Sequence, residues 1–299
     1  MTTIALKIDV DTYRGTLEGV PRLAAALERC GARATFLFSL GPDHTGRALK
    51  RVFRRGFLGK VRRTSVVSHY GVRTLLYGVL LPGPRIGRRC AGELKAIEAR
   101  GFEVGVHTWD HVKWQDGVAR AGAQWTRREF ELACEEFGRV FGHAPATHGA
   151  AGWQMNAHVP QLQAEHGMRY ASDTRGRGPF IPLIEGREVP VPQLPTTLPT
   201  LDELIGRGDL GTADPIEHLL RVSADGADHV FTLHAELEGG AYLTGFERLL
   251  GAWRERGAIL TDLATYASGL DPAALPRCPI DAGSVPGRAG TLAVQGRAR

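Results

Sequence analysis

The chain has 299 residues, 43% of them hydrophobic and 23% charged, with a formal net charge of +5. That length and apolar content supply the core of one large α/β domain or two smaller ones, and exclude a mostly disordered chain. The positive excess is compatible with nucleic acid, a membrane surface or an anionic substrate, so its distribution matters more than its sum.

In chain order, an apolar strand at 4–10 runs into Asp9, Val10 and Asp11, and a helical pattern at 17–30 stops before Gly31. A second strand at 34–40 precedes a long insertion, 41–84, too apolar and too basic for a simple loop. Helices at 85–100, 125–141, 156–167, 214–223 and 243–256 then alternate with strands at 102–107, 145–149, 169–172, 189–191, 229–234 and 258–260. Gly31, Gly101, Gly142, Gly167 and Gly257 each follow a helical pattern, where a left-handed residue ends a helix. The alternation predicts parallel strands joined by crossover helices, and within that class a distorted (β/α) barrel. Residues 1–268 are expected to form the working domain. Residues 270–299, rich in Pro, Gly and Ala without periodicity, are expected to be a disordered tail.

Cys30, Cys90, Cys134 and Cys278 are scattered without a C-x-x-C, which suits a reducing compartment better than a disulfide scaffold. The N-terminus enters a strand with no basic n-region, long apolar core or cleavage site, so the cytoplasm is the expected location. The best apolar run, TLLYGVLLP at 74–82, is too short to span a bilayer.

Asp9 and Asp11 point to the same side of an extended chain, where their charges repel unless a cation or a shared proton lies between them. EVGVHTWDH, residues 103–111, places His107 and His111 four apart at a strand end, and two neutral imidazoles with a carboxylate suit a divalent transition metal. In a parallel α/β architecture the C-terminal strand ends share one face, so these groups can meet, and the same face receives Asp173 of SDTRG and His234 of FTLHAELEG. Singly, each group reads as well as a cap, a loop ion pair or a packed imidazole. Four strand ends delivering acids and imidazoles to one rim favour catalysis. His69, His143, His148, His158, His166, His218 and His229 fall outside this set and are expected to be structural or solvated.

The order Asp-x-Asp, HTWDH, a strand-end Asp and a late Leu-His resembles the NodB-type polysaccharide deacetylases, carbohydrate esterase family 4. The resemblance implies a distorted (β/α) barrel and one divalent metal, Zn, Co or Mn, held by Asp11, His107 and His111, with Asp9 as base and His234 as acid. Asp173 is then expected to fix the His234 tautomer and raise its pKa. KIDVDTYRGTLEGVPRL, GPDHTGRALKR, HTWDHVKWQ, AAGW, SDTRG, TLPTLDELIGR and HAELEGGAY, within residues 4–265, are similar to one branch of that family. Its members remove the formyl group from undecaprenyl-phosphate-linked 4-deoxy-4-formamido-L-arabinose, in the lipid A aminoarabinose pathway of cationic-peptide and polymyxin resistance. The wider family's third motif offers an arginine that orients the base. Here THGAAGWQ has Ala150 and Ala151, so Arg175 is expected to take that place. Arg175, Trp109, Trp153 and Glu236, with Trp114 and Glu238, are expected near the sugar.

A lipid-linked substrate must be met at its membrane. In RALKRVFRRGFLGKVRR, residues 47–63, Leu49, Val52, Phe53, Phe57 and Val61 share one helical face, while Lys50, Arg51, Arg54, Arg55 and Arg62 cover much of the rest. Each basic side chain at an anionic leaflet is worth about 1 kcal/mol. The insertion is therefore expected to attach the protein peripherally to the cytoplasmic side of the bacterial inner membrane. Two rival readings are an N-acetyl-sugar deacetylase, one methyl away in substrate and worth only about 1–3 kcal/mol of discrimination, and a non-enzymatic basic module. The basic run lacks interleaved stacking aromatics and matches no groove-reading motif, so nucleic acid is not an expected partner.

Overall fold

A computed structural model describes residues 2–48, 72–205, 207 and 214–298. The lipid contacts expected at Lys50, Arg51, Phe53, Arg54, Arg55, Phe57 and Arg62 lie outside the described residues. Seven parallel strands form the main sheet, the first five being β1 (Thr3–Val10), β2 (Thr35–Ser39), β3 (Glu103–Thr108), β4 (Thr147–His148) and β5 (Tyr170–Ala171). The smaller sheet uses β6 (Ile181–Ile184) and β7 (Arg187–Glu188). The main sheet is completed by β8 (His229–His234) and β9 (Ile259–Thr261). Strand order is β5-β4-β3-β2-β1-β8, with β9 also against β1.

The central strand, β1, is buried from Ile4 to Val10, as a parallel strand covered on both faces must be. Ile4, Leu6, Ile8 and Val10 belong to the core formed with Leu23 and Leu27 of the helix Val20–Arg29, Leu94 and Ile97 of the helix Ala91–Ala99, and Leu249, Leu250 and Trp253 of the helix Leu243–Glu255. Each such fully buried aliphatic side chain contributes about 1.5–3 kcal/mol. By the two-residue strand period, Ala5, Lys7 and Asp9 face the other way, into the barrel, where Ala5 packs with Tyr170, Leu194 and Val230.

The barrel is closed by extended chain rather than by a regular strand. Residues 193–198 bridge the gap between the sheet's edges. Leu194 N donates to Ala171 O of β5 at 2.7 Å, and Thr197 N donates to Val230 O of β8 at 3.1 Å. This is the distortion that the sequence predicts. After β1 and β8 the chain makes two π-turns, Gly15–Gly19 and Leu237–Ala241, packed back to back. A Cβ on Gly239 would lie 2.6 Å from the Cα of Gly19, so bare backbone is required there. Such turns often mark functional sites.

Three expectations change in detail. The helix expected at 85–100 breaks at Cys90 into Ile86–Arg89 and Ala91–Ala99. The strand expected at 189–191 is replaced by the hairpin β6–β7, whose Glu185–Gly186 turn takes positive φ at both residues. The tail expected to be disordered carries β10 (Arg277–Gly283) and β11 (Leu292–Gln295). β10 pairs in parallel with β6 and antiparallel with β11, giving the sheet order β11-β10-β6-β7. An edge of β6 supplies the main-chain partners that Pro/Gly-rich composition cannot announce, and Cys278 of β10 and Leu292 of β11 are buried. Among the described residues no helix is long and apolar enough to cross a membrane.

Candidate active site

The rim forms where β1, β3 and β8 end. Along β1 the barrel-facing residues climb from Ala5 through Lys7 and Asp9 to Asp11, just past the strand. Parallel register sets Asp9 level with His234 of β8, so a carboxyl group and an imidazole from different strands arrive at one height. His107 lies near the end of β3, and His111 opens the helix His111–Gly117. Asp110 caps that helix, accepting from Lys113 N at 3.1 Å, and His44 Nδ1 meets its other oxygen at 2.6 Å. The GPDH segment thereby braces the turn that aims His111.

Asp11, His107 and His111 present ligand atoms within 4.8 Å of one another. His107 Nε2 is 3.3 Å from Asp11 Oδ1, and His111 Nε2 is 3.4 Å from Asp11 Oδ2. His107 Nδ1 meets Gly149 O at 2.6 Å, which makes Nδ1 the protonated nitrogen and turns the Nε2 lone pair toward Asp11. Asp11 Oδ1 is buried without a hydrogen-bond partner. Burial opposes the Asp11 carboxylate, yet His111 and His107 outweigh it and hold its pKa well below the usual range. An ionised carboxylate, two imidazoles and a buried oxygen without a hydrogen-bond partner fit a divalent cation.

His234 is partly buried, its Nδ1 3.8 Å from Asp202 Oδ1. Desolvation works against its protonation, but Asp202, Asp11, Asp9 and Glu238 prevail and raise its pKa to about 9. Glu236 Oε1 accepts from Asp11 N, Thr12 N and the Thr12 hydroxyl, bracing the Asp11 loop. Burial, then the neighbouring Asp11 charge, pushes the Glu236 carboxyl up to about 8. Glu238 accepts from His234 N at 2.8 Å, and burial lifts it to about 7. The site thus gathers a trio able to hold a cation, with Asp9 and the His234 imidazole of raised pKa close by.

A family model for polysaccharide deacetylases matches residues 2–171, more than half of the chain. The chain belongs to the polysaccharide deacetylase family. A protein of Shewanella sediminis, named "Probable 4-deoxy-4-formamido-L-arabinose-phosphoundecaprenol deformylase ArnD", is 37% identical over 251 residues, 84% of this chain and 81% of that protein. One of the same name from Wigglesworthia glossinidia brevipalpis is 30% identical over 287 residues, covering 94% and 98%. A crystal structure described as a polysaccharide deacetylase from Mycobacterium smegmatis shares the fold at TM-score 0.63 and 17% identity, over 95% of this chain and 96% of that one. The Puue allantoinase does so at TM-score 0.59 and 14% identity, covering 89% of each chain. The fold is therefore that of the polysaccharide deacetylases, and metal dependence is the general property of the family to which the trio's donors answer.

Within this deacetylase-family barrel, Asp173, expected in the catalytic set, and Arg175 and Trp153, expected beside the base and the sugar, lie elsewhere. Asp173 does not orient His234. One of its oxygens accepts from Ala150 N at 2.8 Å and meets His148 Nδ1 at 2.7 Å, and the other accepts from Gln163 and Gln193, so its acceptor positions are used in a buried network. Burial opposes that carboxylate, but His148 and the amide donors hold its pKa below the usual range. Asp202, from the TLPTLDELIGR stretch, faces His234 instead. Arg175 does not orient Asp9: its guanidinium bonds Glu203 and the Leu198 carbonyl and stacks 4.9 Å from the Trp153 ring. Trp153 is only 1% exposed, under Arg175, Arg288 and Lys7, and so is not a sugar-facing wall. Its φ of +52° marks backbone strain in the AAGW loop. Trp109 is half-buried at the margin of the main core, its carbonyl accepting from Gly41 N. The cation beside Asp9 is Lys7, which the motif reading passes over although Lys7, Asp9 and Asp11 alternate on one face.

Proposed function

We propose that the chain hydrolyses the formamide of undecaprenyl-phosphate-linked 4-deoxy-4-formamido-L-arabinose, releasing formate and leaving the free amino sugar on its lipid. The observation that carries this reading is the meeting of Asp11, His107 and His111 with Asp9 and His234 at one rim. The names of the two relatives supply the substrate.

Asp11, His107 and His111 would hold the divalent cation, Zn, Co or Mn, which when bound polarises the formyl carbonyl and acidifies a water. Asp9, through its buried Oδ1, takes the proton as water adds to the formyl carbon. His234, protonated near neutrality, delivers a proton to the sugar nitrogen as the C–N bond breaks. The carbon leaves as formate and the nitrogen stays as the amine of the aminoarabinose lipid, the product used in lipid A modification and polymyxin resistance.

Acting on a lipid-linked sugar, the protein would attach peripherally to the cytoplasmic side of the inner membrane, against anionic headgroups. Val79, Leu80 and Leu81 support this, being exposed apolar side chains at a turn where Arg47 Nε donates to Gly78 O at 3.1 Å. Exposed Arg85, Arg88 and Arg89 follow in the chain. The test is metal-loaded protein with the lipid-linked formamido sugar and its acetamido counterpart, both carboxylic acids being measured by mass spectrometry. Formate release at least about tenfold faster than acetate release supports deformylation. Faster acetate release makes the chain a deacetylase of an N-acetyl sugar. Salt-dependent sedimentation with anionic vesicles, lost when Arg51, Arg54, Arg55 and Arg62 are changed to Glu, tests the membrane face.

A further inference from the structure

Lys7 stands in the middle of β1 with its side chain fully enclosed in the barrel. An ammonium there costs several kcal/mol unless it is paired. Its surroundings supply the pairing: Ser172 O accepts at 3.0 Å, Asp9 Oδ2 lies at 3.3 Å, and the Trp153 ring centroid is 5.5 Å away. The opposite wall is cut back to admit it. A Cβ on Gly149 would lie 2.4 Å from Leu37 Cδ1, 3.0 Å from Lys7 Cε and 3.3 Å from Nζ, so the bare glycine lets the lysine pass close to the wall. Ser172 is itself fixed, its hydroxyl donating to Leu194 O at 2.6 Å in the segment that closes the barrel.

Among the described residues the basic groups within 4 Å of Asp9 are Lys7, at Oδ2, and the His107 imidazole, whose Nδ1 is 3.8 Å from Oδ1. We propose that Lys7 is the positioning residue of Asp9. It anchors Oδ2 and balances the charge of a carboxylate that is 3% exposed, and so leaves Oδ1, buried without a hydrogen-bond partner, as the proton-accepting oxygen. The inference rests on the reading of Asp9 as the base of an amide hydrolase. The Lys7 ammonium is held by Ser172, Asp9 and the Trp153 ring, none of them a cation ligand, so its loss should separate rate from metal binding.

The test compares wild type, Lys7→Met and Lys7→Arg in the full chain. Melting temperature, Co²⁺ affinity from visible absorption, and kcat and KM for formate release are measured for each. Methionine keeps the volume without the charge. It should leave Co²⁺ affinity and KM within about threefold while kcat falls about 100-fold, the scale of a misplaced catalytic group. Lys7→Arg should recover at least about tenfold of that loss. The inference is overturned if Lys7→Met turns over within about threefold of wild type, if its Co²⁺ affinity falls in step with kcat, or if Lys7→Arg is no faster than Lys7→Met. Failure of the wild type to release either formate or acetate overturns the hydrolase reading itself, a result visible before any variant is compared.

Discussion

His234 Nδ1 lies 3.8 Å from Asp202 Oδ1, and Arg288, from the C-terminal segment between β10 and β11, reaches the other oxygen of that carboxylate at 2.9 Å. Asp202 is the leading carboxylate among those that raise His234 to about 9. The protonation of His234 is therefore set by a carboxylate 32 residues away in sequence, itself steadied by Arg288, 86 positions beyond Asp202.

Because the His234 pKa is raised, its acid form persists below that value and is lost as pH rises through it, so the alkaline limb of kcat/KM should belong to His234. A cation beside Asp11 offsets one of the contributing charges, which places the limb of the loaded enzyme below 9. Asp202→Asn should move the limb about one unit further down, slowing the reaction about tenfold at pH 8.5 and less at pH 6.5. A pH–rate profile decides it, and an unmoved limb would rule out Asp202 as the partner.

Asp9 and Asp11 should separate cleanly. Asp11→Asn removes the carboxylate shared by His107 and His111 and should weaken metal binding at least about 100-fold, with activity falling in proportion. Asp9→Asn should keep the metal and lose about 10²- to 10⁴-fold in kcat. Metal content after dialysis, set against turnover, is the measurement. Full occupancy in Asp11→Asn would contradict the ligand assignment.

Asp173→Asn should act on stability. The carboxylate serves His148, Ala150 N, Gln163 and Gln193 in a dry network, and removing its charge should cost about 2–4 kcal/mol of unfolding free energy. The Ala150 amide it holds follows Gly149, whose carbonyl orients His107, so metal affinity should also weaken by several-fold. Urea denaturation and Co²⁺ titration read these two effects. A lowered alkaline limb without loss of stability would return Asp173 to the acid.

Gly239→Ala should show how tightly the two π-turns meet. Its Cβ would lie 2.6 Å from Gly19 Cα and Gly19 O, backbone atoms that cannot swing aside. The overpacking should cost about 1–3 kcal/mol in thermal or urea unfolding. A melting temperature equal to that of wild type would show that the turns separate readily.

Much of this protein is written locally. The alternation of buried strands and amphipathic helices, and the glycines that close those helices, depend on near neighbours and on periods of 2 and 3.6 residues. So do the two aspartates one residue apart, which strand geometry alone sends to one side, and the two histidines four apart, which a short turn from β3 into the next helix keeps close. That is why Asp11, His107 and His111 could be grouped before the fold was known.

What the chain could not decide by itself was which distant groups meet inside the barrel. SDTRG and TLPTLDELIGR both offer an aspartate, and only closure of the barrel by residues 193–198 sends Asp173 into the Gln163–Gln193 network and Asp202 to His234. Lys7 resembles any strand lysine until Gly149 and Ser172 close around it. The tail's strands have no periodic signature because their hydrogen bonds are completed by an edge of β6, nearly a hundred residues earlier. Periodicity is a property of adjacent residues, whereas ion pairs and sheet edges are satisfied by whatever the tertiary fold brings within about 4 Å, and that distance is unrelated to separation along the chain.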